Sequence, residues 1–249
     1  MNLRELEFAR IPAKRDGLPV LVFLHEGLGS VALWRDFPAA LAERTGCGAL
    51  VFSRYGNGFS APLSDARTPG YMHDEALVAL PALFAQLKLD DVVLVGHSDG
   101  ASIALIYAAE HPAAVRGLIL EAPHVFVEDL SVRSIAAIKT EYETGGLRAR
   151  MDRYHADVDR TFYGWNDIWL SPQFRDWNIE ACVERVRAPS LVVAGADDEY
   201  GTLDQLESIA RRAAGPVDRL VLAGCGHAPH RDRRSLVESA AAAWVREKL

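Results

Sequence analysis

Residues 96–100 read Gly-His-Ser-Asp-Gly. A serine between two glycines, after an apolar run (DVVLV) and before a helical pattern (ASIALIYAAE), has the strand–turn–helix setting of a nucleophile elbow. Such a turn exposes the hydroxyl of Ser98, and the following helix aims its positive end at any negative charge that develops there. A serine hydroxyl is a weak nucleophile until a base takes its proton and a third group orients that base. Both are available after later apolar runs. LVVAG is followed by Ala196-Asp197-Asp198-Glu199, and LVLAG by Cys225-Gly226-His227. The chain order Ser, acid, His nominates His227 as base, with His230 as its nearest rival. The spacing from Gly195 nominates Asp198 as the acid, with Asp197 next.

These residues need a scaffold. Six Val/Leu/Ile-rich runs, at 18–25, 48–53, 91–98, 116–123, 189–195 and 218–224, have the length and composition of strands buried on both faces of a parallel sheet. Helical spacing recurs at 71–89, 101–110, 203–213 and 235–249, and Pro81 should kink the first of these or mark its junction. The alternation predicts an α/β fold with a mostly parallel central sheet flanked by helices. Residues 124–187 break the rhythm. They contain no strand pattern and hold Trp165, Trp169 and Trp177. We expect a helical cap over 124–187, inserted in a core made of 1–123 and 188–249.

With HEGLGS (25–30) and Trp34, SRYGNGFS (53–60), GHSDG, GADD (195–198) and GCGHAPHRD (224–232), the chain resembles the α/β-hydrolase superfamily over essentially its whole length, in a cap-bearing serine-hydrolase branch. The resemblance implies an oxyanion hole built from the Asp99 N–H and one N–H of the first loop. Counting from His25 to Trp34 gives Gly27 for the second donor, and treating Glu26 as an insertion gives Leu28. Glu26 is unusual there, because a carboxylate opposes negative charge unless it is paired. Arg54 is the expected partner. Glu26 either braces the loop or positions substrate or water. Ser53 stands where relatives carry an acid, and its loop reads as structural. The Asp99 side chain is expected to hydrogen-bond the cap or the HEGLG loop. His124, Trp165 and Trp169 are candidate pocket residues, for a small, rather apolar or aromatic substrate.

The implied reaction is hydrolysis of a carboxylic ester or lactone. Cleavage of a C–C bond in a ring-cleavage diketone is the alternative, although no Trp follows the histidine, and Arg148, Arg150 and Arg153 are not diagnostic. A non-catalytic ligand-binding protein on the same scaffold is the remote alternative. An aspartate-nucleophile enzyme is excluded by Ser98.

The 249 residues carry 34 acidic against 27 basic side chains, a formal charge of −7, which argues against nucleic acid or an anionic membrane as partner. A small-molecule substrate is the expected partner, and monomer and homodimer both stay open. Cys47, Cys182 and Cys225 lack metal spacing and read as reduced thiols. His25, His73, His97, His111 and His155 read as structural or surface residues, so no metal or organic cofactor is expected. The charged N-terminus lacks a signal-peptide core and no long apolar run exists, which points to the cytoplasm.

Overall fold

The apolar runs pair into one sheet. In the computed structural model, which describes residues 3–63 and 65–249, the strands are β1 (Phe8–Ile11), β2 (Val20–Leu24), β3 (Gly48–Phe52), β4 (Val92–His97), β5 (Val115–Glu121), β6 (Ser190–Gly195) and β7 (Val217–Leu222). Their order is β1-β3-β2-β4-β5-β6-β7. β1 runs antiparallel to β3, and every other neighbouring pair is parallel. Helices α1 (Phe37–Thr45) and α11 (Arg234–Lys248) pack together against one face. On the other lie α2 (Tyr71–Asp74), α3 (Leu80–Leu87) and α4 (Asp99–Glu110). β2 to β6 are buried almost throughout, as continuous apolar runs should be. β7 differs. It is an edge strand with Arg219 and Val221 exposed, so its run of apolar letters covers only part of the core.

Parallel pairing aligns the strand ends. Leu24 sits beside Gly96, His97 beside Glu121, Glu121 beside Val193, and Gly195 beside Leu222. The loops that leave β2, β4, β5, β6 and β7 therefore gather along one edge, the carboxyl end of the sheet, where open α/β sheets build their sites.

Pro81 does not break its helix. A π-helical turn, Glu75–Ala79, joins α2 to α3, and the Leu80 N–H reaches back five residues to the Glu75 carbonyl. The wider turn accommodates a ring that would otherwise collide with the carbonyl of Leu77, four residues earlier.

Between β5 and β6 lie α5 (Asp129–Thr144), α6 (Leu147–Asp152), α7 (Val158–Trp169) and α8 (Glu180–Val183). The segment's two ends are tied at its base. Phe126 bridges Asn178, and the Ile179 N–H donates to the Val125 carbonyl at 2.8 Å. The later helices are α9 (Leu203–Arg212) and the short α10 (Pro229–Asp232). Among the described residues no helix is long and apolar enough to cross a membrane.

Candidate active site

β4 ends at His97, and Ser98 turns into α4 with φ 53° and ψ −119°. A non-glycine residue at positive φ is held there only by its surroundings. The flanking glycines make room for it. A Cβ at Gly96 would come within 2.5 Å of the Gly100 carbonyl, and one at Gly100 within 1.9 Å of the Leu24 carbonyl. The turn therefore packs against β2 at backbone contact distance. The Ser98 N–H is fixed by the Glu121 carbonyl at 2.9 Å.

The structure brings Ser98, His227 and Asp198 together from three strand ends. Ser98 Oγ lies 2.9 Å from His227 Nε2, and His227 Nδ1 lies 2.9 Å from each Asp198 oxygen. Asp198 also accepts from the N–H groups of Tyr200 and Gly201, at 2.8 and 3.2 Å. Burial pushes the Asp198 carboxyl up, but the His227 hydrogen bond and charge, helped by the Tyr200 N–H, hold it below the ordinary carboxylate range. Asp197 is exposed. His230 is not near Ser98 chemistry: its N–H and Nδ1 bond the fully buried Glu121 at 2.8 and 2.9 Å, and its ring packs on Trp34.

A cavity of about 290 Å³ opens over Ser98. Glu26, Gly27, Leu28, Asp99, His124, Trp165 and Trp169 all line it, with Ile135 and Tyr200. Trp177 does not; it stacks on Phe174 at 5.3 Å, in the interior. The Trp165 indole lies directly over Gly27, where a Cβ would come within 2.1 Å of its Nε1. His124 is 3% exposed, with its ring 5.2 Å from Trp169 and 5.5 Å from His227. Burial first, then the neighbouring His227, pushes its pKa down to about 3, so the ring is neutral.

Glu26 to Gly29 form a tight turn closed by the Gly29 N–H on the Glu26 carbonyl at 3.0 Å. Arg54 takes the Glu26 carbonyl at 2.9 Å and Asn57 takes that of Gly27 at 3.0 Å. In a trans peptide N–H and C=O point opposite ways. The N–H groups of Gly27 and Leu28 are therefore turned away from Arg54 and Asn57.

The expected partnership of Glu26 with Arg54 is corrected here. The Glu26 carboxylate faces His97 Nδ1 at 3.6 Å and Arg231 at 3.7 Å. Arg54 grips main-chain oxygens instead, and its ion pair is with the buried Asp99, at 3.8 Å. The reason is reach: Arg54 is wholly buried beneath the turn, while the Glu26 side chain comes up to the cavity. Burial works against ionising Glu26, yet His97 and then Arg231 hold its carboxyl well below the usual range.

The Asp99 side chain bonds neither the expected cap nor the HEGLG loop directly, and reaches each through an intermediary. Tyr71 donates to Asp99 at 2.6 Å and accepts from Trp169 Nε1 at 3.1 Å, so α4 is linked through α2 to the cavity wall on α7. Arg54 links Asp99 to the HEGLG turn. Ser53 is braced as a structural residue, donating to Glu7 at 2.5 Å and accepting from the Val31 N–H at 2.9 Å. Glu7, just before β1, thus supplies a carboxylate beside Ser53.

His97 and Tyr71 were not singled out from sequence. His97, read as a structural or surface residue, is buried and lines the cavity, and its Nε2 lies 2.6 Å from the His227 carbonyl. Its position next to Ser98 was the one available signal. Tyr71 carried none, since its partners stand 28 and 98 residues away.

Strands, elbow and gathered loops define a hydrolase fold. The chain matches the alpha/beta hydrolase family over residues 21–240, and it belongs to that family. It is 25% identical to a proline iminopeptidase of Lactobacillus helveticus (strain DPC 4571) over 88% of this chain and 87% of that one. In fold it is similar to the enol-lactonase from Burkholderia xenovorans LB400, with TM-score 0.76, 16% identity, and 97% and 96% of the two chains covered. It is also similar to the meta-cleavage product hydrolase from Pseudomonas fluorescens IP01, with TM-score 0.76, 15% identity, and 97% and 94% covered.

Proposed function

We propose that this hydrolase is a serine enzyme that cleaves carboxylic esters or lactones, with Ser98 as nucleophile, His227 as base and Asp198 as its orienting acid. One observation carries the reading: the unbroken relay of 2.9 Å contacts from Ser98 through His227 to Asp198. In this mechanism His227 Nε2 takes the Ser98 proton as Oγ attacks the carbonyl carbon. Asp198 fixes the Nδ1–H tautomer and stabilises the imidazolium. The oxyanion rests on the Asp99 N–H, at the start of α4, and on an N–H of the Gly27–Leu28 pair. Each such donor is worth about 10²–10³ in rate. His227 then protonates the departing alkoxide, and a water activated by the same nitrogen releases the acid. The helical segment between β5 and β6 acts as the cap, with Ile135, Trp165 and Trp169 forming an apolar wall for the substrate.

A second reading, cleavage of an amide beside a free amine, has two supports. The Lactobacillus relative is named as an iminopeptidase. Besides Asp99, whose carboxylate is engaged by Tyr71 and Arg54, the acidic residues Glu26, Glu199 and Asp232 line the cavity and would suit a cation. The C–C hydrolase reading gains nothing comparable, because Arg231, the arginine lining this cavity, faces Glu26.

The test is steady-state turnover of p-nitrophenyl esters of rising acyl length, of lactones and of prolyl p-nitroanilide, by wild type and Ser98→Ala. Ester turnover should fall in Ser98→Ala by a factor on the order of 10⁶, together with loss of fluorophosphonate labelling. Retained turnover would overturn the serine mechanism. Turnover of the anilide alone would replace the esterase reading with the second one, and labelling without any turnover would favour a binding protein.

A further inference from the structure

Two histidine–carboxylate pairs flank Ser98, and the reaction described above uses only one. The second is His97 with Glu26. His97 is buried between the sheet and the last loop. Its Nε2 lies 2.6 Å from the main-chain oxygen of His227. A carbonyl only accepts, so this nitrogen carries a proton. Its Nδ1 looks across 3.6 Å at the Glu26 carboxylate. Glu121 also neighbours His97; its Oε2 accepts from the N–H and Nδ1 of His230, and its Oε1 has no hydrogen-bond partner. Glu26 is the carboxylate that Nδ1 of His97 faces within 4 Å.

We infer that His97 is a positioning residue that holds the main chain of His227 in place and offsets the charge of Glu26 beside the oxyanion site. The inference rests on the serine-hydrolase reading. Glu26 opens the turn that contains both candidate oxyanion donors, and it lines the same cavity as Ser98. An unpaired carboxylate there would repel the negative charge that forms during attack. A protonated His97 removes that repulsion and, from the same ring, anchors the residue that acts as base.

The charged neighbours set the direction of the pH effect. Glu26 and Glu121 face His97 from the ends of β2 and β5, His124 from the loop after β5, His227 from the loop after β7 and His230 from α10, while Arg231 on α10 faces Glu26. Burial lowers the His97 pKa, but the facing Glu26 carboxylate, then Glu121, outweigh it and leave His97 above its ordinary value. Below that raised pKa the pair is intact. As pH rises through it, Nδ1 loses its proton, Nε2 keeps its bond to His227, and Glu26 is left with Arg231. The rate should fall on this alkaline side.

The test is a set of pH profiles of kcat and kcat/KM on a neutral p-nitrophenyl ester, for wild type, Glu26→Gln, His97→Leu and the double variant. His97→Leu should lose kcat on the order of tenfold to a hundredfold, the size of one uncompensated charge in a medium of effective dielectric about 20. The double variant should recover the part of that loss due to the repelling carboxylate and keep the part due to the lost bond to the His227 carbonyl. Glu26→Gln should lack the alkaline fall. A double variant no faster than His97→Leu, or a Glu26→Gln profile with the wild-type alkaline fall, would overturn the inference. If His97→Leu fails to fold, the Glu26→Gln profile decides alone. Ser98→Ala separates the two ideas. If it is inert while Glu26→Gln keeps the alkaline fall, the serine mechanism stands and the role of His97 does not.

Discussion

At the scale of single residues, protonation states divide the work. Asp198 is ionised, and its two equal contacts set the His227 ring. Asp198→Asn should leave folding intact and lower kcat by about 10⁴, since an amide favours the wrong imidazole tautomer; burst and steady-state kinetics on a p-nitrophenyl ester check this. His124 has the opposite character, a histidine kept neutral by burial. Its folded pKa is depressed from 6.5 to about 3, so the unfolded chain binds this proton first as pH falls. The stability it contributes is present above the unfolded value and drains away between those two values. Urea midpoints should decline over that window, and His124→Leu should decline less. Ser98, Asp198 and His227 were legible because each sits in a short motif just after an apolar run. His97 was not, because what defines it is a carbonyl 130 residues downstream. Glu26 was legible as an anomaly but not in its partners, since sequence distance says nothing about which cation reaches the cavity.

At the scale of elements, the link Asp99–Tyr71–Trp169 joins three helices through one hydroxyl. Tyr71→Phe leaves a buried carboxylate oxygen and a buried indole N–H without that partner, and should cost about 1–3 kcal/mol. Denaturant titration measures it, and KM should rise if the wall at Trp169 loosens. Five of the buried strands could be read directly from their apolar runs. β1 could not: FARI is four residues long and mostly exposed, with no apolar run to mark it. α1 was not read from the sequence; its Pro38 stands in the first helical turn, where no N–H bond is lost. Pro81 was read as a kink or a junction, and it stands where the π turn meets α3. The π turn before it resolves the clash by another route, one that no periodicity count reveals.

At the scale of the whole molecule, the negative balance of the chain continues into the cavity, where Glu26, Glu199 and Asp232 outnumber Arg231. A neutral ester should outpace an anionic one of equal length, p-nitrophenyl butyrate over the hemisuccinate, by at least about tenfold at low salt. The gap should narrow as ionic strength rises, because screening weakens exposed charges first. Equal rates at low salt would show that this field does not reach the reacting carbonyl.

The division of labour between strand ends and the segment between β5 and β6 bears on redesign. The proposed nucleophile, base and acid, Ser98, His227 and Asp198, all follow strand ends, while Ile135, Trp165 and Trp169 come from a segment whose two ends are pinned together at Phe126 and Asn178. A segment pinned in this way can be transplanted as one cassette from a donor protein, changing what is bound while the strand-end chemistry stays put. The graft must match the bonds the segment makes to the core, among them Thr161 to the Gly56 carbonyl, His155 from the Gly58 N–H, and Ser131 and Ser134 to the carbonyls of Tyr200 and Glu199. The donor must present an indole N–H where Trp169 stands, or the recipient must give up the Tyr71 hydroxyl that waits for it.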